Sequence, residues 1–215
     1  MENITTMIIS LTAFITAVTT LIINIMKAKK EIENTIPSKI KNQINIDNEI
    51  IKRMEEVKEM LKADRVQIYD FHNGGHYANG RSALKTSCSY EVVRTGIKGH
   101  QKELQAVPLT CIPRFVETLL NKKELVVRNL EDIKDLMPAT YELKKGQNVA
   151  SFYDVILNNK AGEPIGFLAL QFCRINCVGF NQEEINKILK LKFFIEENLE
   201  KMVMKNKERR KFIWR

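Results

Sequence analysis

The stretch from Asp70 to Lys85, DFHNGGHYANGRSALK, gathers the residue types most able to hold a small polar group. Glycines at 74, 75 and 80 let the backbone turn tightly and present amide N–H groups to an anion or a carbonyl. Gly74 and Gly75 would supply those amides, His72, Asn73 and His76 side-chain contacts, and Lys85 a positive charge. The same composition also describes a tight turn whose His and Asn only satisfy loop backbone groups. As metal ligands His72 and His76 are poorly set, because a glycine turn does not stack them on one helical face and no third ligand is in sight. Beyond the loop, strand alternation puts Lys85, Ser87, Ser89 and Glu91 on one face and Leu84, Thr86, Cys88, Tyr90 and Val92 on the other. That polar face reads either as a solvated surface or as the wall of a pocket in which Lys85 and Glu91 orient a ligand.

The four cysteines, Cys88, Cys111, Cys173 and Cys177, are too few and too irregular for a disulfide framework, and the last two lack the CxxC spacing of a zinc site. Free thiols in a reducing compartment follow. No Ser/His/Asp order, Walker loop or paired-carboxylate spacing is present, so nothing points to catalysis, a metal or a cofactor.

The elements that must position these residues can be read from periodicity. In IDNEIIKRMEEVKEMLKADR, residues Ile50, Met54, Val57 and Leu61 form one helical face, with Asp47 as its N-cap; the stripe would cover a sheet or pair with a second copy of itself. RVQIYDF is a strand from Arg65 to Phe71, and a second strand runs from Leu84 to Arg94. A short helix near Pro113 to Leu120 and a strand ELVVRN come next. VASFYDVIL and PIGFLALQF are two strands joined by Asn158 to Glu163, NNKAGE, which has hairpin-turn chemistry. Asn181, with Glu184 three residues later, opens a long final helix. The order describes an α+β fold, a single antiparallel sheet flanked by helices.

Ahead of this domain lies ITTMIISLTAFITAVTTLIINIM, Ile4 to Met26, 23 residues without a charge and roughly 34 Å long as a helix. Only Glu2 is charged before it, while Lys27, Lys29 and Lys30 follow, the reverse of a cleaved signal peptide. The positive-inside rule then puts the N-terminus outside and the domain in the cytoplasm. Thr12, Thr16 and Thr20 with Ala13 and Ala17 give a face of small side chains, which either lets helices approach closely or merely dilutes the apolar span. Residues 1–26 are thus the anchor, 27–45 a polar juxtamembrane linker interrupted by Pro37, 46–204 the domain, and 205–215 a basic tail. The net charge of +8 sits on the two flanks, and the body is nearly neutral. The charges therefore suit anionic lipid better than nucleic acid: Lys27, Lys29 and Lys30 at one end, and Arg209, Arg210, Lys211 and Trp214 at the other, are the expected membrane contacts.

This order of elements, together with ADRVQIYDF, IPRFVETLLNKKELVVRNLEDI, PIGFLALQF and GFNQEEINKILKLKFFIEENLE, resembles the GAF domain family, cytoplasmic ligand-sensing modules related to PAS domains. The resemblance covers roughly Ile46 to Met204. It implies terminal helices on one side of the sheet and a ligand-sized pocket on the other. An NKFDE-like motif and a chromophore-attachment motif are missing, so cyclic nucleotides and photoreception are not implied. GAF proteins that reduce free methionine sulfoxide use several cysteines, which keeps a thiol-dependent enzyme as an alternative. The leading expectation is a membrane-tethered module, self-associating as a dimer, that recognises a small ligand or a partner protein and is followed by no output domain. The rival is a small membrane effector, holin-like or lysis-regulating, whose domain controls assembly of the helix.

Overall fold

The computed structural model describes the backbone of residues 2–33 and 35–213, and side chains from 11 to 199 apart from residues 30, 32–34, 36 and 39. Residues 1–48 and 49–215 form two separate units.

In the first unit, helix α1 spans Glu2–Glu33. Its window Leu11–Lys29 is long and apolar enough to cross a membrane, and none of it is buried. Leu11, Phe14, Ile15, Leu21, Ile22 and Met26 are more than half exposed. Three threonine hydroxyls are internally paired all the same: Thr16, Thr19 and Thr20 donate to the carbonyls of Thr12, Ile15 and Thr16 at 2.6, 2.8 and 2.8 Å. Such back-bonding removes the polar obstacle to placing threonine in hydrocarbon. Helix α2 runs Ile36–Leu61. The break before it is where Pro37 forbids a continuous helix, and proline is tolerated in the first turn that follows. Starting at Ile36, α2 begins ten residues before the expected start, because nothing after Pro37 stops a helix. Asp47 is consequently an interior residue, accepting from Gln43 Nε2 at 2.8 Å, and not an N-cap.

In the second unit, six strands form one antiparallel sheet: β1 Arg65–His76, β2 Ser82–Val93, β3 Val107–Pro108, β4 Glu124–Val127, β5 Ser151–Asn158 and β6 Pro164–Phe172, in the order β3-β2-β1-β6-β5-β4. One face carries Val66, Ile68, Val155, Leu168 and Leu170, all buried. The helical layer against it is the Ile50, Met54, Val57 and Leu61 stripe of α2 and the Ile188, Leu191 and Ile195 stripe of α5, Gln182–Ile213. Arg53 of α2 stacks on the Phe194 ring of α5 at 4.1 Å, and Asn158 N–H of β5 donates to Glu196 of α5 at 2.7 Å. The opposite face is covered by α3, Pro113–Lys122, by α4, Pro138–Gly146, and by the segments beside them, which enclose a core including Tyr69, Phe115, Leu119, Phe152 and Phe167.

The local signals for two joints are met. Asn181 and Glu184 exchange side-chain and backbone hydrogen bonds at 2.8 and 3.0 Å, a complete capping box. Asn159 Oδ1 gathers Ala161 and Glu163 N–H groups, closing the hairpin between β5 and β6. Where β6 crosses β1, Gly166 lies so close that a Cβ there would meet the Tyr69 carbonyl oxygen. Gly166→Ala is therefore expected to destabilise the domain by roughly 1–3 kcal/mol, because backbone cannot move aside as a side chain can. Gly146→Ala, with open space around its Cβ position, should cost nothing. Chemical denaturation of the two variants checks the contrast.

Candidate functional site

The segment expected as a glycine loop is instead strand. β1 continues to His76 and pairs with β2 as far as His76↔Ser82, while β6 leaves it at Asp70↔Gly166. A two-stranded ribbon results, and its turn is closed by Tyr77 N–H on Arg81 O at 2.8 Å. His72 faces Lys85 across the ribbon and its Nε2 lies 2.9 Å from Ser87 Oγ. The Lys85 stem covers Gly74, Asn73 Oδ1 accepts from Gly75 N–H at 3.1 Å, and His76 is exposed. The structure thus brings His72, Gly74 and Lys85 together on an open ribbon. Glu91 lies elsewhere.

The reason is a β-bulge. Ile68 pairs with Tyr90 but Tyr69 with Cys88, leaving Ser89 as the extra residue. One added residue reverses the alternation beyond it, so Glu91 points to the same side as Cys88 and Thr86 rather than as Lys85. Its carboxylate accepts from Gln67 Nε2 at 2.7 Å and from the backbone N–H groups of His100 and Gln101 at 2.8 and 2.9 Å. Around it the interior face of the sheet is polar. Tyr69 donates its hydroxyl to Gln67 Oε1 at 3.1 Å, and Arg65, 2% exposed, donates to Lys98 O at 2.9 Å and Gln171 Oε1 at 3.3 Å.

From α4, Lys144 reaches down to Asp154 of β5, Nζ to Oδ2 at 3.3 Å, and lies 4.5 Å over the Phe152 ring. Both partners are buried. Burial raises the Asp154 carboxyl above its ordinary range and Lys144 opposes the rise. Burial, with Asp154 contributing, raises the Tyr69 and Tyr153 hydroxyls above their ordinary range. Beside Lys144 a cleft of about 20 Å3 opens between Thr86, Tyr69 and Phe167 of the sheet and Leu143, Lys144 and Gln147 of the α4 end. A cavity of this size holds about one water-sized guest. Thr86 Oγ1 and Gln147 Oε1, both lining it, are buried without a hydrogen-bond partner, as is Asp154 Oδ1 behind it. A wider depression of about 480 Å3 at the β4 edge, lined by Val126, Arg128 and Asp132 among others, is open and has none of these orphaned groups.

Lys144, Gln147 and Asp154 escaped the sequence reading, although a charged residue inside the apolar run of β5 was an available signal. Among the described residues no His/Cys/Asp/Glu group is placed to hold a metal ion. Lys27 and Lys29 lie on α1; Trp214 and the side chains of Lys30, Arg209, Arg210 and Lys211 lie outside the described residues. All four cysteines are free, with Cys88 buried and Cys111 exposed. Burial, then Glu91 and Asp70, push the Cys88 thiol up, and burial does the same to Cys173, the opposite of what a nucleophilic thiol needs.

Two measurements check this site. Iodoacetamide should modify Cys111 in the native protein while Cys88 stays protected until unfolding, as peptide mass mapping reads. Lys144→Met, which strands a buried carboxylate, should cost about 3–5 kcal/mol, and adding Asp154→Asn should recover most of it in chemical denaturation.

No protein-family model and no curated protein matches the sequence. Solved structures do match in fold. A far-red cyanobacteriochrome photoreceptor is 14% identical over 82% of this chain and 97% of its own, with a TM-score of 0.56. The phycocyanobilin-bound GAF domain of a cyanobacterial phytochrome is 16% identical over 79% and 92%, TM-score 0.54. The PixJ GAF domain of Thermosynechococcus elongatus, in its blue-light absorbing form, is 14% identical over 76% and 93%, TM-score 0.56. At such identities the likeness is one of architecture, and the fold of this chain is GAF-like.

Proposed function

We propose that this chain is a membrane-tethered, non-catalytic sensory module whose interior cleft binds a small molecule. The observation that carries the reading is the pair of buried, unpartnered groups lining the cleft, Thr86 Oγ1 and Gln147 Oε1. Leaving such groups unsatisfied costs about 1–3 kcal/mol each, which a ligand that hydrogen-bonds them returns as affinity. One solved neighbour holds phycocyanobilin. Here the cleft is only about 20 Å3, so the ligand is small and its entry requires α4 to move. The raised thiols of Cys88 and Cys173 weigh against the thiol-enzyme alternative.

Helix α1 is the proposed tether, with Lys27, Lys29 and Lys30 on the cytoplasmic side and the domain behind them, and with the basic tail returning to anionic lipid. Ligand binding would then bias the association of tethered copies or the docking of a partner protein.

The tether is tested by Leu21→Arg, which costs insertion roughly 3 kcal/mol and should move the chain from the carbonate-washed membrane pellet to the supernatant. The binding reading is tested on the full chain in detergent, by thermal unfolding with and without the small-molecule fraction of a cell extract. The wild type should be stabilised, by about 2.7 kcal/mol at a hundredfold excess over Kd, and a Thr86→Val/Gln147→Leu variant should not. Equal responses, or no response from the wild type, would overturn it.

A further inference from the structure

The two edges of the sheet are made differently. At one lies β3, paired with β2, and its Pro108 has no N–H to offer a further strand. At the other lies β4, which among the described residues pairs with β5 alone. Ile156 N–H donates to Lys123 O at 2.9 Å, so Lys123, Leu125 and Val127 turn their backbone polar groups to β5, and Glu124 and Val126 turn theirs to the open side. Beside Val126, Val127 and Arg128 lies the open depression of about 480 Å3, which leaves room at this edge for an added strand.

The side chains say which strand. Leu125 and Val127 are buried in the core, while alternation puts Glu124, Val126 and, just past the strand end, Arg128 on the outer face, all exposed. Along the strand that face reads acid, apolar, base. A second copy laid antiparallel, with Val126 facing its counterpart, reads base, apolar, acid. Each Glu124 then lies opposite Arg128 of the second copy, so the edge is complementary to itself, as a twofold interface requires. A slip by two residues sets Glu124 opposite Val126 or Leu130 and loses both ion pairs. The Tyr153 hydroxyl donates to Glu124 Oε2 at 2.6 Å and holds the carboxylate on this face. In the backbone, Val126 can exchange a pair of hydrogen bonds with its counterpart, and Arg128 N–H can donate to Glu124 O at each end; Arg128 O already accepts from Asn176 N–H at 2.8 Å.

We propose that two copies of this chain associate edge to edge through β4, joining their sheets about a twofold axis at Val126 with Glu124 and Arg128 paired across it. This names the surface through which tethered copies meet. It rests on the tether, because so short a ladder is a weak contact until confinement to one membrane raises the effective concentration.

The test uses the full chain in detergent at a concentration on the order of 0.1 mM, which stands in for confinement. Val126→Cys is introduced together with Cys111→Ser on chains carrying tags of two sizes. Directly opposed Cα atoms of a hydrogen-bonded pair are about 5.5 Å apart, within reach of a disulfide. Copper phenanthroline should therefore cross-link Val126→Cys into a dimer on a non-reducing gel, and Leu84→Cys, 53% exposed on β2 toward the other edge, should stay monomeric. Adding Arg128→Glu sets like charges opposite each other at both ends and should lower the dimer yield about tenfold, as should adding Glu124→Arg. Mixed, those two variants restore opposite charges at both ends, and the heterodimer should return to the level of Val126→Cys alone, which also shows that both are folded. The proposal is overturned if Val126→Cys cross-links no better than Leu84→Cys, if the mixture recovers nothing, or if each charge variant cross-links with itself as well as with the other. Should Leu21→Arg leave fractionation unchanged, the tether falls, while the pairing measured in detergent still decides the edge.

Discussion

Glu91 is a half-buried carboxyl turned into the domain, and such a group persists only where donors meet it. Those donors are Gln67 Nε2 from the neighbouring strand and the N–H groups of His100 and Gln101 from the segment after β2. By holding that segment, Glu91 sets its neighbours in place: Gln101 Nε2 donates to Ser89 O at 2.6 Å, Gln105 Nε2 to Cys88 O at 2.7 Å, and Cys88 N–H to Leu104 O at 2.9 Å. The bulge is thereby bandaged along its open edge, and Lys98 O is delivered to the buried Arg65. Fold and interior polarity are one arrangement here, since removing the bulge would return Glu91 to the opposite face and leave Gln67 and two backbone amides unanswered.

Satisfaction is uneven across that interior. Around Glu91 the donors and acceptors meet, with Gln171 Nε2 beside Arg65 left over. Toward α4 they stop meeting, and Thr86 Oγ1, Gln147 Oε1 and Asp154 Oδ1 are left over. Native proteins rarely leave such groups in a region that serves only packing, because each is costly and a methyl or methylene of similar volume would cost less. Three such groups gathered at the α4 end distinguish the cleft from the aromatic core beside it.

Much of the fold is legible in the residues because its signals are local. Asn181 with Glu184 announces the start of α5, Asn158–Glu163 announces a hairpin, and the Ile50, Met54, Val57 and Leu61 spacing announces a buried helix face. What was not legible depends on pairing. A two-residue strand such as β3 has no period to read. His72–His76 look like a loop because of Gly74 and Gly75, yet pairing with β2 draws them into a strand. Glu91 was placed with Lys85 by simple alternation, and the register shift at Ser89 that separates them is invisible without the partner strand. Lys144 and Gln147 lie where α4 ends, in a run that reads as a solvated surface. Only the packing of α4 onto the sheet buries them.

The position of Asp154 on β5 ties the cleft to the rest of the domain. On its own side of the sheet Asp154 meets Lys144; its chain neighbours Tyr153 and Val155 point to the helical layer, and the same strand ends at Asn158, whose N–H is held by Glu196 of α5. Backbone alternation makes this unavoidable, because consecutive residues of a strand serve opposite faces. A change at the Lys144–Asp154 pair therefore acts on the strand that α5 rests against. Packed sheets transmit such changes as small shifts of whole elements, since their interiors are too dense to absorb them locally. In a GAF-like fold with helices on one face and a cleft on the other, β5 belongs to both, as β1 and β6 do.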